Sequence, residues 1–174
     1  MIATLRKFSL SRSNDITDAG VAALLGPAPE LRSLSLTHCA LLSGAFLTEL
    51  DEQCDDSLAE IDLCRCRSID HAGAAALCSF RGLAELGLSQ ATHLSVLPLE
   101  LLPRLRTVKW GFLWGCSALR KLDLSAMTNV HQLGDCFLAD CRGLRRLSLS
   151  DALMQHREVD AELKRLHAAA VTVD

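Results

Sequence analysis

Leu31-Arg32-Ser33-Leu34-Ser35-Leu36, residues 31–36, carries three leucines spaced first by three positions and then by two. In an extended chain residues two apart point to the same face, so Leu34 and Leu36 share one side of a strand while Ser33 and Ser35 share the other. The same pattern, with apolar replacements, recurs at Leu5-Phe8-Leu10, Leu58-Ile61-Leu63, Leu83-Leu86-Leu88, Leu119-Leu122-Leu124 and Leu144-Leu147-Leu149. Successive first leucines are 26, 27, 25, 36 and 25 residues apart. A unit of that length cannot bury its own apolar row and must stack on its neighbours. Leucine occurs 35 times in the 174 residues, against five Phe, two Trp and no Tyr. That bias is what repeated use of one inward-facing residue produces, and it argues against chance triplets in a leucine-rich helical chain.

The segments between the strands repeat as well. Ile16-Thr17-Asp18-Ala19-Gly20-Val21-Ala22-Ala23-Leu24 aligns with Ile69-Asp70-His71-Ala72-Gly73-Ala74-Ala75-Ala76-Leu77, each reading as a loop followed by a short Ala-rich helix. Cys39 and Cys66 stand eight residues after the first leucine of their repeats, while Ser13, Ala91, Met127 and Ala152 occupy that position elsewhere. These features resemble the cysteine-containing leucine-rich repeats of F-box proteins, and the resemblance implies that the cysteine packs beneath the turn after the strand. In the second half Phe112-x-x-x-Cys116-x-x-Leu119 aligns with Phe137-x-x-x-Cys141-x-x-Leu144, preceded by Val130-x-x-Leu133-Gly134. That frame is similar to the BspA-like, Treponema-type repeats, which implies a further short strand on the convex side. The expected fold is therefore an α/β leucine-rich-repeat solenoid, with a curved parallel sheet on the concave face and short helices, loops and strands on the convex face.

The pattern predicts a single array over 1–174, with strands near 5–10, 31–36, 58–63, 83–88, 119–124 and 144–149. An insertion near 98–111, where Pro98 and Pro103 oppose a continuous helix, explains the long interval and is expected to bulge on the convex side. Leu105 to Trp110 imitates a strand but begins only 14 residues before Leu119, too few for a full repeat. Val159, Leu163, Leu166 and Ala170 recur at helical spacing and predict one helix over about 153–167, leading to a final strand at 171–173. Neither end carries a polar cap, so the array is expected to belong to a longer chain or to an assembly that covers its edges.

The net charge of −3 and isoelectric point near 6.1 give no field that gathers phosphates, so no nucleic acid is expected as a partner. The longest stretch without Asp, Glu, Lys or Arg, Ser33 to Thr48, is too short and polar to span a bilayer, and no membrane is expected as a partner either. The N-terminus has no apolar run of signal-peptide type, so the eight cysteines read as reduced thiols of an intracellular, most simply cytoplasmic, protein. The Cys64-x-Cys66 pair has no second pair at zinc-site spacing. The six histidines fall at different repeat positions, outside any HExxH, GxSxG or Walker-type context. The sequence therefore predicts no catalytic residue, metal or cofactor.

What remains is a binding surface. The pattern places Lys7, Ser33, Glu60, Glu85, Lys121 and Arg146 in one outward column of the concave face, and Ser9, Ser35, Asp62, Gly87, Asp123 and Ser148 in the next. Acidic residues fall mid-array and basic ones at both ends, an arrangement that selects a partner of matching charge. The expected function is a non-catalytic protein-interaction module, or a structural component of a larger assembly. The resemblance to F-box-type repeats also implies an alternative, the substrate-recognition array of a ubiquitin-ligase receptor, although no F-box precedes Leu5 in this chain.

Overall fold

The computed structural model describes residues 4–54, 57–97, 104–108, 110–168 and 171–173. In chain order the elements are β1 (Lys7–Ser11), α1 (Asp18–Leu25), β2 (Ser33–Thr37), α2 (Phe46–Cys54), β3 (Glu60–Asp62), α3 (His71–Leu77) and β4 (Glu85–Gly87). They continue with β5 (Thr107–Val108), β6 (Lys121–Leu124), β7 (Gln132–Leu133), β8 (Arg146–Leu149), α4 (Asp151–Met154), α5 (Arg157–Ala168) and β9 (Thr172–Val173). Among the described residues two sheets form, of order β1-β2-β3-β4-β5-β7 and β6-β8-β9, and every pairing within them is parallel. Among the described residues no helix is long and apolar enough to cross a membrane.

The inward columns are where alternation puts them. Leu34, Leu36, Ile61, Leu63, Leu86 and Leu88 are fully buried, as are Leu122, Leu124 and Leu147 to within a few per cent. Leu149, expected inside, is only partly buried, and so are Leu5, Phe8 and Leu10 on the first strand. β1 has a paired neighbour on one side alone among the described residues, which leaves its apolar row half covered.

The expected register fails after β4. Leu105 to Val108, read as part of a convex bulge, instead supplies β5, with Glu85 opposite Thr107 and Leu86 opposite Val108. The Val130-x-x-Leu133 segment supplies β7 in the same sheet. The paired row is thus Phe8, Leu34, Ile61, Leu86, Val108 and Leu133, with intervals of 26, 27, 25, 22 and 25 residues, and the anomalous interval disappears. Residues 98–103 of the expected insertion lie outside the described residues. The strands expected at 119–124 and 144–149 do form, as β6 and β8, but in the other sheet.

Backbone hydrogen bonds give the physical reason. The N–H groups of Leu63, Leu88 and Leu113 donate to the carbonyls of Gly87, Phe112 and Phe137, so residues 63, 88, 113 and 138 form one column. Three residues on stand Cys66, Ala91, Cys116 and Cys141, and three further Ile69, Leu94, Leu119 and Leu144. Leu119 and Leu144 therefore occupy the place of Ile69, at the start of the outer connection, and not that of Leu83. A Leu-x-x-Leu-x-Leu triplet specifies which face of a strand is buried, not which sheet receives it.

Local sequence decides the form of each connection. α1 and α3 are rich in alanine and start behind N-caps, where Thr17 Oγ1 accepts from Gly20 N and Asp70 Oδ1 from Gly73 N. Arg120-Lys121-Leu122-Asp123-Leu124 alternates polar and apolar residues and stays extended. Neighbouring connections are tied together by Asp18 of α1, whose carboxylate accepts from the backbone N–H groups of Ser43, Gly44 and Phe46 and from the Ser43 hydroxyl, at 3.0–3.3 Å. It thereby satisfies donors at the start of α2. One connection on, Gly44 adopts φ +96° with its α-carbon against Gly73, and a Cβ on Gly73 would overlap the Ser43 carbonyl.

The expected C-terminal helix is two helices. Ser150 Oγ accepts from Leu153 N to begin α4 and donates to the Met127 carbonyl, and the chain breaks at Gln155 before α5. α5 buries Val159 and Leu166. Arg165 pairs with Glu162 within α5 at 2.7 Å and joins the helix to the preceding turn by donating to the Leu138 carbonyl at 2.7 Å.

Candidate functional site

Of the residues expected to form one binding face, the six-stranded sheet brings together Lys7, Ser9, Ser33, Ser35, Glu60, Asp62 and Glu85. Lys7, Ser33, Glu60 and Glu85 are paired in register, and the row continues into Thr107 and Gln132. Ser33 Oγ donates to Glu60 Oε2 at 2.8 Å. Lys121, Asp123, Arg146 and Ser148 belong to the three-stranded sheet, where Lys121 faces Arg146 and Asp123 faces Ser148. Hydrogen bonds from the Ser125 hydroxyl and N–H hold the Asp123 carboxyl below its usual range. The expected face with acids in the middle and bases at both ends is corrected accordingly: the long row has Lys7 at one end, acids in the centre and neutral Thr107 and Gln132 at the other. The misplaced register of the second half caused the error.

A second row lies at the C-terminal ends of the strands. Arg12, His38, Arg65, Gln90, Gly115 and Asp140 all take positive φ, between 57° and 73°. The N–H of Arg12 donates to Thr37 O, of His38 to Cys64 O, of Arg65 to Ser89 O, of Gln90 to Trp114 O and of Gly115 to Ala139 O, at 2.6–3.0 Å. Each turn therefore hangs on the next. The left-handed region disfavours any residue with a Cβ, yet only one of the six is glycine. Each of the six stands two residues after a leucine, Leu10, Leu36, Leu63, Leu88, Leu113 and Leu138, a spacing that gives the row its register and not its backbone conformation.

The side chains of this row interact along it. Arg65 Nη1 lies 3.1 Å from His38 Nε2. A guanidinium only donates, so Nε2 accepts and the ring proton sits on Nδ1, which is buried and has no partner among the described residues. Desolvation lowers the His38 pKa, and the charges of Arg65, Arg12 and Arg67 lower it further. The Arg65 guanidinium also stands over the Trp114 ring, 5.9 Å from its centre. Trp114 Nε1 donates to Asp140 Oδ2 at 3.1 Å, and its ring is 5.8 Å from that of Trp110, which is 59 % exposed. Arg12, Asn14, His38, Ala40, Arg65 and Arg67 line a hollow of 360 Å³. Arg67 also borders the next hollow, of 310 Å³, which is floored by Gln90, Trp114 and Asp140.

Beneath these turns lie thiols. Cys66, Cys116 and Cys141 donate to the carbonyls of Leu36, Leu88 and Leu113 at 2.7, 3.5 and 3.0 Å. Burial pushes Cys66 and Cys141 up to about 12 and raises Cys116 as well. At pH 8 a thiol of pKa near 12 is thiolate in only about one molecule in ten thousand. In native protein treated with iodoacetamide at pH 8, exposed Cys136 should be alkylated first, and Cys66 and Cys141 only on unfolding. Peptide mass spectrometry showing Cys66 modified as fast as Cys136 would contradict this burial. Among the described residues no group of three or more His, Cys, Asp or Glu is placed to hold a metal ion.

No protein-family model matches the chain, and its comparison with curated proteins gives no significant match.

Proposed function

We propose that the chain is a leucine-rich-repeat solenoid that binds another protein and carries out no catalytic step itself. Parallel strands paired mainly in chain order over columns of buried leucine support the solenoid reading. The observation that carries the binding reading is the strand-end ridge, where Arg65 stacks on Trp114 beside exposed Trp110. Tryptophan and arginine are the side chains most enriched at energetic centres of protein interfaces. Glu60, Asp62 and Glu85 on the adjoining strand face add a charge pattern that restricts which partner docks.

The test is selection of peptides from a randomised display library on the immobilised chain. Selected peptides should lose at least about thirtyfold in affinity on Trp114→Ala or Arg65→Gly, the loss that defines an interface hot spot, and little on Lys121→Ala in the other sheet. Peptides indifferent to both ridge substitutions would overturn the assignment of the ridge.

A further inference from the structure

We infer that the hollow between Arg12, His38, Arg65 and Arg67 is a receptor for a single phosphate monoester, carried on a phosphorylated residue of the protein that docks along the ridge. The partner clause rests on the function proposed above; the phosphate site rests on the pocket itself.

Three guanidinium-bearing residues line one hollow of 360 Å³ in a chain whose net charge is −3. Arg12 and Arg67 have no side-chain hydrogen bond or ion pair among the described residues, and Arg65 is engaged only by the His38 ring and the Trp114 face. Four arginines elsewhere are matched with acids, Arg6 with Glu30, Arg142 with Asp140, Arg157 with Glu158 and Arg165 with Glu162, and Arg120 and Arg145 donate to backbone carbonyls. Like charges gathered without a counter-charge repel one another, and an anion in the hollow relieves that repulsion. After desolvation, the charges of Arg65, Arg12 and Arg67 add to the lowering of the His38 pKa.

The shape of the donors selects among anions. Forked guanidinium groups match the three oxygens and double charge of a phosphate monoester, whereas a carboxylate offers two oxygens and one charge. A continuous polyanion is disfavoured, because Asp140 borders the next hollow and Glu60, Asp62 and Glu85 occupy the adjoining strand face. The Trp114 shelf beside the pocket is a seat for the residue next to the phosphorylated one, which ties the two hollows into one peptide-sized trough through Arg67.

The experiment titrates the intact chain with inorganic phosphate, a capped phosphoserine, acetate and a short single-stranded oligonucleotide at matched ionic strength. Binding is followed by calorimetry and by the side-chain N–H resonances of the arginines. Phosphate and phosphoserine should move the signals of Arg12, Arg65 and Arg67, and acetate should not. Arg65→Gly and Arg67→Ala should each weaken phosphoserine binding at least tenfold. Glycine is the least strained residue at the left-handed position of Arg65, so loss there is not a folding defect. A second arm phosphorylates a serine in ridge-selected peptides, which should gain at least tenfold in affinity for the parent chain and not for Arg67→Ala. Absence of phosphate binding, equal binding of acetate, or preference for the oligonucleotide overturns the phosphate site while leaving peptide binding to the ridge intact. Binding of free phosphate without any gain for phosphorylated peptides overturns the partner clause. Failure to select any ridge peptide, with phosphoserine still bound, would instead remove the proposed protein-binding role and keep the phosphate site.

Discussion

Replacing Leu86 by alanine is expected to destabilise the chain by about 2–5 kcal/mol, the range for deleting a fully buried leucine side chain whose cavity collapses only in part. Leu86 is fully buried and sits in the paired row between Ile61 and Val108, so the void opens where the long sheet passes from its first-half to its second-half strands. Glu85→Ala, one residue away on the outward face, should change stability by no more than about 0.5 kcal/mol. Urea unfolding monitored by circular dichroism separates the two. Equal midpoints for both variants would mean that the alternation of β4 has been read on the wrong face.

Gly73→Val should be comparably severe, because overpacking of a closed contact typically costs about 1–3 kcal/mol and here the obstruction is backbone. A side chain at 73 meets the Ser43 carbonyl and the Gly44 α-carbon, neither of which can rotate away. Gly20 occupies the equivalent place in α1, four residues after Ile16 as Gly73 is after Ile69, yet the nearest atom to a Cβ there is 3.6 Å away. Gly20→Ala should therefore stabilise by roughly 0.5–1 kcal/mol through helix propensity. Thermal melts of the pair with opposite signs are the expected result. A neutral Gly73→Val would show that the connections α2 and α3 are not in close contact.

The sequence carried the inward columns of the first half in full, since period-two alternation at Leu34-Leu36, Ile61-Leu63 and Leu86-Leu88 has one physical solution when one face is buried. It did not carry the sheet to which Leu119-Leu122-Leu124 belongs. That depends on the equivalence of Cys116 with Cys66, a relation held by carbonyl and thiol hydrogen bonds and masked by a repeated leucine triplet that fits either place. Of the candidate face, Lys7, Ser33, Glu60 and Glu85 were legible for the same reason as the core, being its complement. The turn residues were not, because left-handed geometry is announced by glycine or asparagine and this chain places arginine, histidine and glutamine there. Interactions such as Arg65 over Trp114 join residues almost fifty positions apart and leave no local trace.

The strand-end turns separate two tasks that proteins usually entangle. Five of the six are secured by a backbone N–H reaching the next turn's carbonyl, so the side chains at 12, 38, 65, 90 and 115 take no part in closing them. With neighbouring strands on the order of 4.8 Å apart, these six positions form an ordered row of letters, limited by what a left-handed backbone accepts. Side chains there can be exchanged one turn at a time while the backbone hydrogen bonds that join the turns stay in place.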